Sequence, residues 1–240
     1  MATSGTTTFN LDLNEAVEEA FERCGTELRS GYDLRTARRS LNLLFTEWAN
    51  RGINLWTVDT GTITLVQGTA TYNLPTDTVD LIEHVIRTGS TTPATQVDLT
   101  ITRVSVSTYA SIPNKIQQAR PIQVYINRQA TTPTITVWPT PDGSQTYTFA
   151  YWRLRRMQDA GDGGSYTMDV PFRFLPVLVA GLAYYLSLKV PGALERMQML
   201  KMQYDEALSR SSLEAKSHAS SYCIFSICIR SRAPGTFRDR

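Results

Sequence analysis

Carboxylates on the first predicted helix are the residues whose spacing comes closest to that of a catalytic site. They recur at i, i+3, i+4 and i+7, as Glu15, Glu18, Glu19 and Glu22. Two carboxylates flanking a scissile bond would serve as the acid and the base or nucleophile of a glycosidase. The same spacing also describes a solvated helix face, since glutamate is a good helix former and Glu19 can pair with Arg23. We favour the solvated face and predict no catalytic residue.

Histidine and cysteine supply few further candidates for chemistry. His84 lies in an apolar segment, and we interpret it as structural. His218, Cys223 and Cys228 could offer three ligands, but their spacing matches no zinc finger and a fourth ligand is missing. With three cysteines in all, the chain is no disulfide framework. The sequence therefore predicts neither a metal site nor a cofactor.

A basic run on the second predicted helix is the main candidate for contact with an acidic partner. Arg35, Arg38 and Arg39 lie on its polar side, where they could face a neighbouring subunit or DNA. The net charge of the chain is +2, while residues 217–240 alone carry four arginines against one aspartate. The rest of the chain is therefore nearly neutral. This argues against a reader of duplex DNA, which needs a basic stripe to neutralise phosphates.

Composition predicts a folded protein without a membrane anchor. The chain has 240 residues, of which 42% are apolar and 19% are charged, as in ordinary globular proteins. The longest uncharged apolar stretch runs for 15 residues between Arg173 and Lys189. A bilayer-spanning helix needs about 20 such residues, so we expect a buried helix there. The first residues also lack the pattern of a secretory leader.

Two amphipathic helices are predicted between residues 10 and 52. Their apolar faces have helical spacing and comprise Leu13, Val17, Ala20, Phe21 and Cys24 in the first, and Leu34, Ala37, Leu41, Leu44, Phe45 and Trp48 in the second. Asp12 and Asp33 are the predicted N-caps, and Gly25 and Gly52 the predicted stops. The short connection between the helices favours an antiparallel pair.

Alternating apolar and polar residues replace the helical spacing after residue 55 and predict strands. The predicted strands cover residues 61–66, 69–75, 123–129, 134–138 and 146–152. Residues 79–85 fit a strand or a short helix, and we favour the strand. After a glycine loop at 161–164, a helix that starts near Pro171 is apolar nearly all round, so other elements must surround it. Pro191 and Gly192 end that helix.

A last helix is predicted over residues 193–216. Its apolar stripe consists of Met197, Leu200, Tyr204 and Leu208. No later element of clear structure is available to cover this stripe. We therefore predict that its partner is another protein.

The predicted fold class is α+β, a helical core with a β-rich insertion. We divide the chain into an N-terminal arm, a helical core in two pieces, the insertion, a docking helix and a tail of uncertain structure. These segments are residues 1–9, 10–54 with 165–192, 55–157, 193–216 and 217–240 respectively.

Several runs, in order and spacing over roughly residues 8–216, resemble one protein family. The matching runs are Ala37–Leu44, Glu47–Trp56, Tyr72–Pro75 with Val79–Asp80, Ile112–Lys115, Arg120–Pro121, Asn127–Gln129, Trp138–Pro141, Val170–Pro171 and Leu182–Leu186. Together they resemble the head-to-tail adaptors of short-tailed bacteriophages, also called tail accessory factors or packaged-DNA-stabilisation proteins. Residues 217–240 do not resemble the tail of that family.

The resemblance implies a non-enzymatic virion protein of the tail or neck, assembled in the host cytoplasm. Such adaptors form a ring, commonly of twelve copies, under the portal protein. The ring extends the DNA channel, retains packaged DNA and attaches the tail hub or nozzle and the spikes or fibres. Double-stranded DNA is expected to pass through the lumen without sequence-specific contacts. Met197, Leu200, Tyr204 and Leu208 become candidates for the portal interface.

Two alternatives from other functional classes stay open at this point. The first is a cell-wall-degrading tail-associated hydrolase that uses Glu15 and Glu22. The second is a nucleic-acid-binding module that uses Arg35, Arg38 and Arg39 together with the arginine-rich tail.

Overall fold

The computed structural model describes residues 4–28, 31–53, 55–89, 95–129, 131–161 and 166–219. The helices in these residues are α1 (Leu13–Cys24), α2 (Gly31–Asn50), α3 (Val106–Ala110), α4 (Leu175–Ser187) and α5 (Met197–Ala219). The strands are β1 (Val58–Thr64), β2 (Thr71–Asn73), β3 (Thr78–Thr88), β4 (Val97–Thr100), β5 (Thr102–Val104), β6 (Gln123–Asn127), β7 (Thr134–Trp138) and β8 (Tyr147–Arg155). Short 3-10 turns precede β1, α4 and α5. The predicted α+β class is confirmed.

Helix α4 is the centre of the helical core. Ten of its thirteen residues are buried, and α1, α2 and α5 all contact it. The prediction that other elements surround this apolar helix is confirmed. Helices α1 and α2 contact each other far less than each contacts α4. The two helices that were predicted to pair are therefore held together mainly through α4. Because no single face of α4 is polar, burial on all sides is the arrangement that removes most apolar surface from water.

Local interactions explain where α1 begins and ends, and they correct the predicted start of α2. The Asp12 carboxylate accepts from the Glu15 amide, and the Glu15 side chain accepts from the Asp12 amide, which completes a capping box. Gly25 ends α1 with a φ of 80°, a conformation that glycine adopts without steric cost. The prediction for α2 is wrong at its start. Asp33 lies inside the first turn, where a carboxylate still interacts favourably with the helix dipole.

The middle of the chain forms two four-stranded sheets. Their strand orders are β1-β8-β3-β4 and β2-β7-β6-β5, and β5 with β6 is a parallel pair. A strand formed at each of the six predicted positions. The side chains between the sheets form a second hydrophobic core, which includes Ile86, Val124, Val137 and Phe149. The sequence analysis missed β4, β5 and α3, because these elements have five residues or fewer and show no clear periodicity.

Four contacts hold the sheets against the helical core where the chain passes between them. The indole Nε1 of Trp56 donates to the Asp169 carbonyl oxygen at 2.8 Å, and its ring lies 4.8 Å from that of Phe174. Arg155, at the end of β8, forms a bidentate ion pair with Asp169, with one N–O distance of 3.0 Å. The Asp169 carboxylate also accepts from the Gln158 amide at 3.0 Å. A planar guanidinium on a carboxylate fixes orientation as well as distance.

Replacing Asp169 with asparagine is expected to lower the free energy of unfolding near neutral pH. It should also make that free energy depend less on pH in the acid range. The hydrogen bond from Arg155 holds the pKa of Asp169 below its ordinary value of 3.8. The carboxylate therefore stabilises the fold above that value, and this contribution is lost as pH falls through the lowered pKa. Urea unfolding at pH 7, 4 and 3 measures the difference. If the free energy of unfolding changed with pH equally in both proteins, the ion pair would not stabilise the fold.

Candidate functional site

The glutamates of α1 occupy the side of the helix that faces away from α4. Glu15, Glu18 and Glu22 are exposed, which confirms the predicted solvated face. The Glu15 carboxylate serves the capping box, and Glu19 forms an ion pair of 2.9 Å with Arg23. Two of the four carboxylates thus have structural partners, whereas Glu18 and Glu22 extend into solvent.

His84 and Cys24 lie within the packed interior rather than in a cleft. His84 is on β3, half-buried, and its ring stacks on Phe149 with a centroid distance of 5.7 Å. Cys24 Sγ donates to the Ala183 carbonyl oxygen at 3.2 Å, and burial raises the pKa of its thiol to about 11. A thiol with this pKa is protonated at neutral pH and is a poor nucleophile. Within the described residues, no cluster of three His, Cys, Asp or Glu side chains could hold a metal. Cys223 and Cys228, in the predicted tail, lie outside the described residues.

Replacing His84 with phenylalanine is expected to remove a loss of stability in mild acid. Burial, and then the charge of Arg103, lower the pKa of His84 below 6.5, while Glu83 and Asp80 oppose the shift. The unfolded chain therefore binds a proton at higher pH than the folded chain, so stability falls as pH drops below about 6.5. Phenylalanine keeps the ring that stacks on Phe149 and cannot ionise. Thermal unfolding at pH 7.5 and 5.5 tests this: the midpoint should fall less in the variant than in the unmodified protein.

The predicted apolar stripe of α5 packs inside the chain. Leu200 and Tyr204 are only 1% and 2% exposed, Leu208 is buried, and all three belong to the core that contains α4. The prediction that this stripe has no partner within the chain is wrong. Helix α4 has enough apolar surface to pack against α1, α2 and α5 together. Helical spacing in the sequence does not show that α4 has room for α5.

Two polar contacts join α2 to its neighbours, one to α5 at the buried stripe and one to α4. Trp48 Nε1 donates to the Tyr204 hydroxyl oxygen at 3.0 Å, and burial raises the pKa of Tyr204 to about 12. The Tyr185 hydroxyl donates to Glu47 Oε2 at 2.7 Å. Buried polar groups that are fully paired specify one arrangement of the helices. Leu200, Tyr204 and Leu208 therefore position α5 and are not available to a second protein in this arrangement.

The outer face of α5 carries a second set of apolar residues, which the sequence analysis missed. Met199 is 50% exposed and Met202 is 72% exposed, and their i,i+3 spacing places them on one side of the helix. Helix α5 has 23 residues and α4 has 13, so at 1.5 Å per residue α5 is about 15 Å longer. Methionine side chains adapt readily to irregular partner surfaces. The sequence could have indicated this second face, because Met199 and Met202 do not share the helical spacing of the buried stripe.

A groove of about 450 Å³ lies beside this face, between α1, α4 and α5. Pro176, Ala180 and Ala207 contribute its apolar surface, and Arg23 and Arg210 also line it. Those arginines pair with Glu19 and Glu206 respectively. The groove could therefore accept an apolar side chain from a partner between two ion pairs.

The basic residues predicted on α2 are near one another but differ in exposure. Arg35 and Arg39 are exposed and Arg38 is half-buried. Lys189, which follows α4, donates from Nζ to the Ser40 hydroxyl oxygen at 2.8 Å. Burial and the nearby charge of Arg39 lower the pKa of Lys189, so these positive charges repel one another. The structure thus adds Lys189 to the predicted basic run.

Comparison with known protein families identifies the family of the chain. The family model described as SU10 adaptor protein matches residues 12–222. The chain belongs to the SU10 adaptor protein family. It is therefore a phage adaptor, a structural protein, in agreement with the family resemblance seen in the sequence. No match to a curated protein was found.

The region matched to the adaptor family includes both hydrophobic cores and the whole of α5. The match ends beyond Ala219, which is the last residue of α5. The sequence analysis had predicted the end of this helix at residue 216. None of the helices in the described part of the adaptor is long and apolar enough to cross a bilayer.

Proposed function

We propose that this adaptor joins the portal protein to the tail in the virion of a short-tailed phage. Copies of the chain, commonly twelve, form a ring under the portal that extends the DNA channel and retains packaged DNA. The ring also provides attachment sites for the tail hub or nozzle and for spikes or fibres. The match of residues 12–222 to the adaptor family carries this proposal. The helical core would form the body of the ring, and the sheets would project from it.

The outer face of α5 is the proposed portal-docking surface. It replaces the stripe of Met197, Leu200, Tyr204 and Leu208, because three of these four residues are buried within the chain. Met199 and Met202 are exposed on a helix whose inner face already packs on α4, so docking requires no opening of the core. Removing their apolar surface from water would favour binding by about 25 cal/mol per Å² of apolar area.

Passage of DNA through such a ring requires weak contacts. The net charge of the whole chain is only +2, so the protein offers little non-specific attraction for a polyanion. We propose that double-stranded DNA slides through the lumen without sequence-specific contacts.

Native mass spectrometry of the adaptor, alone and mixed with its portal protein, tests the function. We expect a complex that contains one adaptor ring for each portal assembly. If the adaptor formed no complex with the portal protein at micromolar concentrations, the proposed function would be overturned.

Two variants then test the docking surface. Met199→Asp with Met202→Asp should weaken portal binding at least tenfold, because two charges would be buried at the interface. Met199→Leu with Met202→Leu is the matched control, since it keeps the apolar surface, and it should bind within threefold of the unmodified protein. Unchanged binding by the aspartate variant would exclude this face while leaving the adaptor function in place.

A further inference from the structure

The outer face of α2 combines exposed apolar side chains with positive charges that form no ion pair with any residue the structure describes. Tyr32 is 72% exposed and Leu43 is 53% exposed, and both lie on the side of α2 opposite to the residues that face α4. Arg35 and Arg39 lie between them. Lys189, whose Nζ donates to the hydroxyl of Ser40 at 2.8 Å, adds a third charge close to Arg39. Aromatic residues and arginine are enriched where proteins contact each other. We name these five residues the α2 face.

The outer face of α1 has the opposite charge. Glu15, Glu18 and Glu22 are exposed on the side away from α4, and Glu18 and Glu22 have no ion pair with any residue in the described part of the chain. We name these three residues the α1 face. Because α1 and α2 contact α4 with their buried sides, both faces point outward from the helical core. One copy therefore presents an acidic helix and a basic helix at separate places on its surface.

We propose that the α2 face of one copy binds the α1 face of the next copy in the ring. A closed ring of identical subunits needs two different, complementary surfaces on each copy, and the acidic and basic faces meet this requirement. The contact would neutralise the repulsion between Arg39 and Lys189 and would cover Tyr32 and Leu43. This inference rests on the proposed ring and assigns its subunit interface.

A second copy fits the α2 face better than DNA does. A phosphate backbone would match the three charges but would leave Tyr32 and Leu43 against a polar surface. A neighbouring helix can meet the charges with glutamates and the apolar side chains with the stems of its own residues. Complementary charge also favours the correct partner over like-charged contacts, which are costly at an interface.

Charge exchange between the two faces provides the test, with native mass spectrometry of adaptor–portal complexes as the readout. One variant carries Glu18→Lys and Glu22→Lys, and the other carries Arg35→Glu and Arg39→Glu. Each alone presents like charges on both faces, so ring formation on the portal should weaken at least tenfold. In an equimolar mixture, each interface again has opposite charges only if the two variants alternate. We therefore expect rings that contain equal numbers of the two variants.

Two controls separate failure of the interface from failure of folding or of the adaptor function. Thermal unfolding of each variant should match that of the unmodified protein, because these side chains are exposed and the new charges suit the helix dipoles at Glu22 and Arg35. A variant with all four changes in one chain should assemble by itself. If the unmodified adaptor forms the ring and both single-face variants also do, the interface assignment is overturned. If, in addition, only the arginine variant loses salt-dependent binding to duplex DNA, the α2 face is a DNA-facing surface.

Discussion

Replacing Leu200 with aspartate is expected to unfold the helical core. The side chain is 1% exposed and packs in the cluster around α4. An ionised carboxylate in that place would be desolvated without a partner, in addition to the loss of the leucine contacts. Substitutions of this kind belong to the largest known class of single-residue effects, about 4 kcal/mol or more. Urea unfolding followed by circular dichroism measures the loss.

Met202→Asp is the matched control for Leu200→Asp. It introduces the same group into the same helix, two residues away, where the native side chain is 72% exposed. Its free energy of unfolding should change by about 0.5 kcal/mol or less. Equal stability of the two variants would contradict the packing of α5 on α4. A loss of portal binding in Leu200 or Tyr204 variants therefore reports on folding rather than on docking.

Replacing Gly181 with leucine is expected to be the second most damaging change. A Cβ atom at this position would lie 2.9 Å from Tyr204, closer than such atoms approach in folded proteins, and 3.0 Å from two atoms of Leu44, tighter than nearly all such contacts. Glycine thus allows α2, α4 and α5 to meet at one point. Both neighbours are fully buried, so they have little room to move. Overpacking of this kind costs about 3 kcal/mol, measured as a shift in the urea midpoint.

Gly31→Leu controls for the general effect of this substitution in a helix. Gly31 is the first residue of α2, and a Cβ there would meet no other atom within 4 Å. Leucine has the higher helix propensity, so this variant should be as stable as the unmodified protein or slightly more stable. If Gly181→Leu behaved like Gly31→Leu, the three helices could not be as close as described.

Prediction from the sequence succeeded where neighbouring residues decide the structure. The capping box of Asp12 and Glu15 and the turn at Gly25 depend on backbone groups within a few residues. The strand at 134–138 follows from alternation over five residues, and β7 has the same bounds. The family of the adaptor was also accessible, because several short runs in a fixed order are specific even when each one is not.

The candidate site could be predicted only in part. The sequence predicted the helix that became α5, and it placed Arg35 and Arg39 correctly on the exposed side of α2. It treated the apolar stripe of α5 as uncovered within the chain, although Leu200, Tyr204 and Leu208 are buried. It also could not place Lys189 beside Arg39, since 150 positions separate them in the chain. The ion pair of Arg155 with Asp169 was equally inaccessible, because it depends on how the sheets sit against the helices.

The sequence by itself determined which residues share a face, where the longer helices and strands lie, and which family the chain resembles. Only the tertiary structure decided which of two apolar faces of α5 is inside. Helical spacing defines faces relative to one another, whereas burial depends on the area that distant elements leave uncovered. Helix α4 had area to cover on every side, and Leu200, Tyr204 and Leu208 cover part of it, so Met199 and Met202 remain at the surface.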